Sequence, residues 1–237
     1  MIPTKCPLCH KSALYYDDEE MVYCTNCRKY KEAVKLYLRP LTWASKKSWL
    51  VRLPVFIWFG YLMIIVQKQP DYALNRLSNP LSALNFGIHE LGHKIFIVFG
   101  EFWTILGGSV FQCLFPVICF LAFLKQKWYF AAAMCWCWLG LNLYDVAYYV
   151  ADARSRNIPL SIGLAIFGVD PNNTDAAYDQ AHDWYQILSR TNRLELDSVY
   201  ANYLRTAGRI AFIIGLTLGL VLIIQMIISS IQKRFNK

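Results

Sequence analysis

His89-Glu90-Leu91-Gly92-His93 sets two imidazoles four residues apart, with a carboxylate directly after the first. On an α-helix, positions i and i+4 share a face, so both rings can grip one metal ion. Glu90 then stands where it can take a proton from metal-bound water and return it to a leaving amine. The motif sits in a largely apolar run, Leu81–Phe99, long enough to cross a bilayer. Ionisable groups are costly there and rare without a task. Two of the four histidines in the chain fall at this one spot. Two alternatives remain: a polar patch that packs helices, with Lys94 pairing Glu90, and a metal that stiffens the fold without catalysis.

A catalytic zinc wants a third protein ligand and an open position for water. His182 and Asp152 are the two candidates for that ligand. Asp183-Trp184-Tyr185-Gln186 fits a D-x-x-Q capping box, which predicts a helix from Trp184 and puts His182 at the junction before it. A helix beginning near Thr174 would instead leave His182 on an exposed polar face. Asn142, Asp145, Tyr149 and Asp152 are spaced three, four and three apart, a polar stripe that should face a bundle interior. Asp152 could bind the metal or hold a ligand histidine through its second ring nitrogen. Asp145 could do the same deeper in the bundle, or simply hydrogen-bond Gln112 or Asn85. Gln112 follows Gly107-Gly108-Ser109 and precedes Pro116, so it is read either as a contact for substrate backbone or as helix packing.

A second set of metal-binding residues lies at the front. Cys6-Pro-Leu-Cys9 and Cys24-Thr-Asn-Cys27 are two CxxC pairs separated by fourteen residues, which is what a tetrahedral structural zinc requires. Ala13–Tyr16 and Met21–Cys24 have strand composition around the acidic turn Asp17–Glu20, giving a β-hairpin. The remaining cysteines, Cys113, Cys119, Cys135 and Cys137, lie in apolar runs and read as small core residues.

The elements that must carry these groups follow from composition. The chain has 237 residues, 56% hydrophobic and 17% charged, which disfavours a large water-exposed globule and excludes disorder. Five runs read as membrane helices, roughly Leu53–Val66, Leu81–Phe99, Phe102–Leu124, Trp128–Val150 and Ala207–Ser230. Ile158–Phe167 is about half a span and reads as re-entrant or interfacial. Of the net charge of +8, residues 1–52 hold +5, with ten Lys/Arg against five acids. That bias places the N-terminal region in the cytosol, and five crossings then place 151–206 there too. His93, Asp152 and His182 thus belong to one leaflet, as a shared site demands.

Residues 4–30 resemble the zinc-ribbon family. The HExxH helix resembles that of membrane-embedded zinc metallopeptidases of the site-2-protease type, which implies a zinc held by His89 and His93, with Glu90 as general base. Those enzymes draw a carboxylate ligand from an Asp-Gly motif in a later helix, and this chain has no Asp-Gly dipeptide. Gly107-Gly108-Ser109-Val110-Phe111-Gln112, Ala151-Asp152-Ala153-Arg154 and His182-Asp183-Trp184 are similar to recurring blocks of small multi-pass, peptidase-like HExxH proteins. The expected architecture is an all-α polytopic membrane protein of about five transmembrane helices with a small N-terminal β-hairpin zinc ribbon. Residues 1–32 form the ribbon, 33–48 a basic juxtamembrane linker, and 49–237 the bundle. The expected activity is hydrolysis of a membrane-associated peptide, with one structural and one catalytic Zn²⁺. A non-enzymatic adaptor or a metal or small-solute transporter is the rival reading. The lipid bilayer and a membrane peptide or protein substrate are the expected partners, and nucleic acid is not. A bacterial cell membrane is the expected location.

Overall fold

The computed structural model describes residues 14–16, 22–24, 38–69, 79–158 and 181–235. The chain divides into two units, Met1–Leu50 with Val221–Lys237, and Val51–Leu220. In the first, Leu14–Tyr16 pairs antiparallel with Val22–Cys24, Leu14 opposite Cys24. Cys6, Cys9, Cys27 and the acidic turn lie outside the described residues, as does the side chain of Cys24, so the ribbon stays an expectation of the sequence. Residues 38–45 are helical, and Lys233 Nζ donates to the Ser45 carbonyl at 3.1 Å.

Among its described residues, the second unit is helical wherever it is regular. Its helices are α1 (Arg52–Lys68), α2 (Pro80–Phe96), α3 (Glu101–Lys125), α4 (Tyr129–Ala151), α5 (Asp183–Arg190) and the start of α6 (Asp197–Phe235). Among the described residues, three helices are long and apolar enough to cross a membrane: Glu101–Lys125, Tyr129–Ala151 and Leu194–Phe235. Helices α1 and α2 have 17 residues each, which at about 1.5 Å per residue falls just short of a ~30 Å hydrocarbon core. The five expected spans are therefore three full-length apolar helices and two shorter ones. The half-span expected at Ile158–Phe167 lies outside the described residues beyond Ile158.

Each helix begins where local chemistry allows it. The Asn79 side chain caps α2 by accepting from the Leu81 N–H at 3.2 Å, and Pro80 occupies the first helical position, where no N–H is needed. A 3-10 turn, Ile97–Phe99, ends at Gly100 with φ +94°, a left-handed conformation that glycine adopts without strain. That turn folds α3 back against α2. The two helices then meet at glycines: a Cβ on Gly92 would overlap the Gly107 carbonyl and lie 2.9 Å from Gly108 Cα. Small residues let helix backbones approach this closely, and the approach brings the HExxH face onto α3.

Helix α4 is the enclosed one, with 72% of its most apolar stretch buried, against 28% for α3. Outward-facing Leu114, Ile118, Leu121, Ile210 and Ile213 are exposed, a surface compatible with lipid. The expected polar stripe on α4 does face inward: Asn142, Asp145 and Asp152 are all buried. One boundary moves. The last helix starts at Asp197, ten residues before the apolar run begins, so part of the expected 151–206 segment is helix. Ala201 packs on Val146 and Val150 of α4, and Arg154 donates two hydrogen bonds to the Asp197 carboxylate at 2.8 and 2.9 Å. These contacts extend the helix beyond its hydrophobic stretch.

Candidate metal centre

His89 and His93 leave one face of α2, as their spacing requires, with ring centroids 4.8 Å apart and nearly perpendicular. What they face was not expected. Their Nε2 atoms lie 3.0 and 3.3 Å from a single oxygen, Oδ2 of Asp183. His89, His93 and Asp183 are the one group of described residues whose donor atoms lie together as a metal would need, all within 4.8 Å of one another. A tetrahedral ion with bonds of 2.0–2.1 Å sets neighbouring donors about 3.3 Å apart, so the donor spacing suits a metal ion.

The opposite ring nitrogens are held by acceptors. His93 Nδ1 lies 2.8 Å from the Thr104 carbonyl, near the start of α3. A carbonyl only accepts, so Nδ1 carries a proton and donates it, while Nε2 is turned to the Asp183 carboxylate. His89 Nδ1 lies 3.0 Å from Gln112 Oε1, with the same consequence. Both imidazoles are thus oriented, each Nδ1 anchored to an acceptor and each Nε2 directed at Asp183, as metal-ligating histidines are held by a partner on their other nitrogen. Gly108 makes room for them: a Cβ there would lie 2.6 Å from each Nε2. Glu90 follows His89, about 100° further round the helix, and is half-buried.

Asp183 reaches the site because it does not cap its helix. The sequence assigned it to a capping box with the helix starting at Trp184. In the structure the helix starts at Asp183, and His182 is the cap, its Nδ1 accepting from the Tyr185 N–H at 3.2 Å. That frees the Asp183 carboxylate. Burial alone would raise its pKa, but the hydrogen bonds and charge of His89 and His93 outweigh burial and hold it down to about 2. The group is therefore an anionic donor at any ordinary pH.

The two expected third ligands are corrected accordingly. His182 and Asp152 do not join the group; they pair with each other, Nε2 to Oδ2, at 3.4 Å. Asp152 ends α4 and is occupied by the chain that follows, accepting from the N–H groups of Asn157 at 2.8 Å and Ile158 at 3.0 Å and from the Ser155 hydroxyl at 2.7 Å. Burial pushes the His182 imidazole below its usual pKa, against the pull of Asp152, so it stays neutral and can accept at Nδ1. The pair anchors the segment that presents Asp183. Tyr149 helps, its hydroxyl accepting from the Asp183 N–H at 3.0 Å and donating to the Ala181 carbonyl at 3.3 Å. Trp184 Nε1 donates to the Ser109 hydroxyl at 3.0 Å and ties α5 to α3.

The inner polar residues also find their roles. Gln112 is not left to face substrate: its Oε1 meets His89, its Nε2 donates to Asp145 Oδ2 at 2.6 Å, and its carbonyl accepts from Asn142 Nδ2 at 2.7 Å. Of the two partners considered for Asp145, Gln112 is the one it takes, while Asn85 accepts from Trp138 Nε1 at 2.8 Å. All these groups gather where α2, α3 and the end of α4 meet. Sequence reading missed Thr104, which acts through its main chain and has no sequence signal. It also missed Asp183, whose only signal was its place beside a histidine able to take over the cap. No protein-family model, curated protein or solved structure matches this chain.

Proposed function

We propose that this protein is a membrane-embedded zinc metallopeptidase acting on a membrane-associated peptide, with His89, His93 and Asp183 as ligands and Glu90 as general base. The observation that carries the reading is the pair of HExxH Nε2 atoms converging on one Asp183 oxygen while each Nδ1 is held by an acceptor. Three protein donors, two nitrogens and one oxygen, are the usual complement of a hydrolytic zinc, which keeps its fourth position for water or substrate. A bound zinc would supply Lewis acidity, polarising a carbonyl and acidifying water. Glu90 takes the proton from water, the water oxygen adds to the carbonyl carbon, and the C–N bond breaks as Glu90 returns the proton to the departing nitrogen.

A site among apolar helices favours an extended membrane segment whose backbone polar groups find partners near it. In this reading the N-terminal cysteines hold a second, structural zinc on the cytosolic side, where the ribbon selects or presents substrate.

The test uses full-length protein in nanodiscs, zinc content by mass spectrometry, and fluorescein-labelled casein as an unfolded-polypeptide probe. Wild type should hold two zinc ions and cleave casein. His89→Ala and Asp183→Ala should hold one ion and cleave nothing, and Glu90→Gln should hold two and cleave nothing. Equal zinc in wild type and His89→Ala overturns the metal assignment. Undiminished cleavage by Glu90→Gln overturns the mechanism, and zinc loss in His89→Ala with no cleavage by wild type overturns the peptidase reading in favour of a stiffening metal.

A further inference from the structure

We propose that a buried water molecule is bound between Asn85 of α2 and Asn142 of α4, deep in the helix bundle. The inference does not depend on which ion the metal centre holds, or on whether it holds one. Each of the two amides has one end committed to a partner that fixes its orientation. The Trp138 indole N–H can only donate, so Asn85 meets it with Oδ1 at 2.8 Å and turns Nδ2 away. Pro116 has no N–H, so the Gln112 carbonyl four residues earlier loses its helical donor, and Asn142 Nδ2 replaces it at 2.7 Å. A carbonyl only accepts, so Asn142 Oδ1 points elsewhere. The two remaining ends, Asn85 Nδ2 and Asn142 Oδ1, are buried and have no hydrogen-bond partner among the described residues.

Both ends belong to one ring of contacts across three helices. Asn85 joins Trp138, which lies four residues before Asn142 on α4; Asn142 joins Gln112. Gln112 joins His89 at 3.0 Å, and His89 lies four residues after Asn85 on α2. Asn85 and Asn142 are each 0% exposed, and Asn142 sits near the middle of the 23-residue α4, away from bulk solvent. An orphaned donor or acceptor is costly in such surroundings, and buried polar groups are ordinarily met by protein or by ordered water. What is left over here is one donor and one acceptor. A cation would suit Oδ1 but be repelled by the amide N–H, and an anion would meet the reverse. A water suits both, accepting from Asn85 Nδ2 and donating to Asn142 Oδ1. Ser82 Oγ, one turn before Asn85 on the same face, is buried and also has no partner among the described residues, and it gives the water a third. Three hydrogen bonds are usual for an internal water.

Water-edited solid-state NMR of the ¹⁵N-labelled full-length protein in lipid bilayers tests this, because magnetisation passes from water only to protons close beside it. The side-chain amides of Asn85 and Asn142 should both receive it. The backbone amides of Leu114 and Ile118, whose side chains face outward on α3, should not. Metal-free and zinc-loaded samples should agree, so failure of the metal reading leaves this result untouched. Asn142→Leu removes the acceptor, and transfer to Asn85 should then fall to the level of Leu114, with an unshifted Trp138 indole signal marking a folded variant. Should Asn142→Leu not fold, wild type still decides, since a side-chain amide dark to water at either asparagine overturns the proposal. Undiminished transfer to Asn85 in a folded Asn142→Leu would put the water at Asn85 alone and overturn the bridge.

Discussion

Gly108→Ala is the sharpest probe of the metal centre, because it adds one methyl group at a defined place. The new Cβ would lie 2.6 Å from Nε2 of both His89 and His93, and 2.7 Å from His93 Cε1. Ordinary van der Waals contact begins at 3.4 Å. Each ring must therefore withdraw by roughly 0.8 Å, about four times the ±0.2 Å that a metal site tolerates in its ligand distances. Zinc affinity should fall on the order of 100-fold. Stability should move much less: overpacking costs about 1–3 kcal/mol, and alanine in place of a helical glycine returns about 1 kcal/mol. The expected signature is thus a protein that melts within a few degrees of wild type without metal yet fails to hold zinc at the bundle site. Competition against a chromogenic chelator in nanodiscs measures the affinity, with a thermal melt of the metal-free protein beside it. Gly87→Ala is the control, since a Cβ there meets nothing within 4 Å. It should bind zinc as wild type does. If Gly108→Ala also bound zinc at wild-type affinity, the two imidazoles would not converge where the structure has them, and the argument for a shared ion would fail.

Two further substitutions test how Asp183 is presented. His182→Ala removes the cap of α5 and should cost about 1 kcal/mol while weakening zinc binding; His182→Asn, able to cap, should recover the stability, and unchanged zinc affinity in the alanine variant would show that the cap does not position the ligand. Tyr149→Phe deletes one hydroxyl that serves both Asp183 N–H and the Ala181 carbonyl, so about 1–2 kcal/mol of stability and roughly tenfold in zinc affinity should be lost; zinc titration at wild-type strength would refute the role given to that hydroxyl.

Much of the site was legible because it depends on spacing within single helices. The i, i+4 rule alone put His89 and His93 on one face, and the three-four-three spacing of Asn142, Asp145, Tyr149 and Asp152 alone marked the inner face of α4. The glycines before Gln112 marked a close helix crossing, and the apolar runs marked most of the helices. The end of α6 that carries Asp197 was not legible, because its polar turns are held by packing on α4 and by Arg154 rather than by hydropathy.

The third ligand needed the tertiary structure. His182, Asp152 and Asp183 are neighbours of similar chemistry, and local rules favoured Asp183 as a cap, since an Asp followed three residues later by Gln usually is one. The choice was made elsewhere. Asp152 is spent on the N–H groups that follow α4, His182 is drawn to Asp152 and caps α5 in its stead, and Tyr149 seats the chain so that Asp183 meets rings on a helix 94 residues earlier. The orientations of the two rings likewise depend on helix register, with Thr104 opposite His93 and Gln112 opposite His89. Sequence alone could therefore name the two histidines, because periodicity is a property of one helix. It could not complete their coordination, because which polar groups are left free is settled only when all their competitors have been packed.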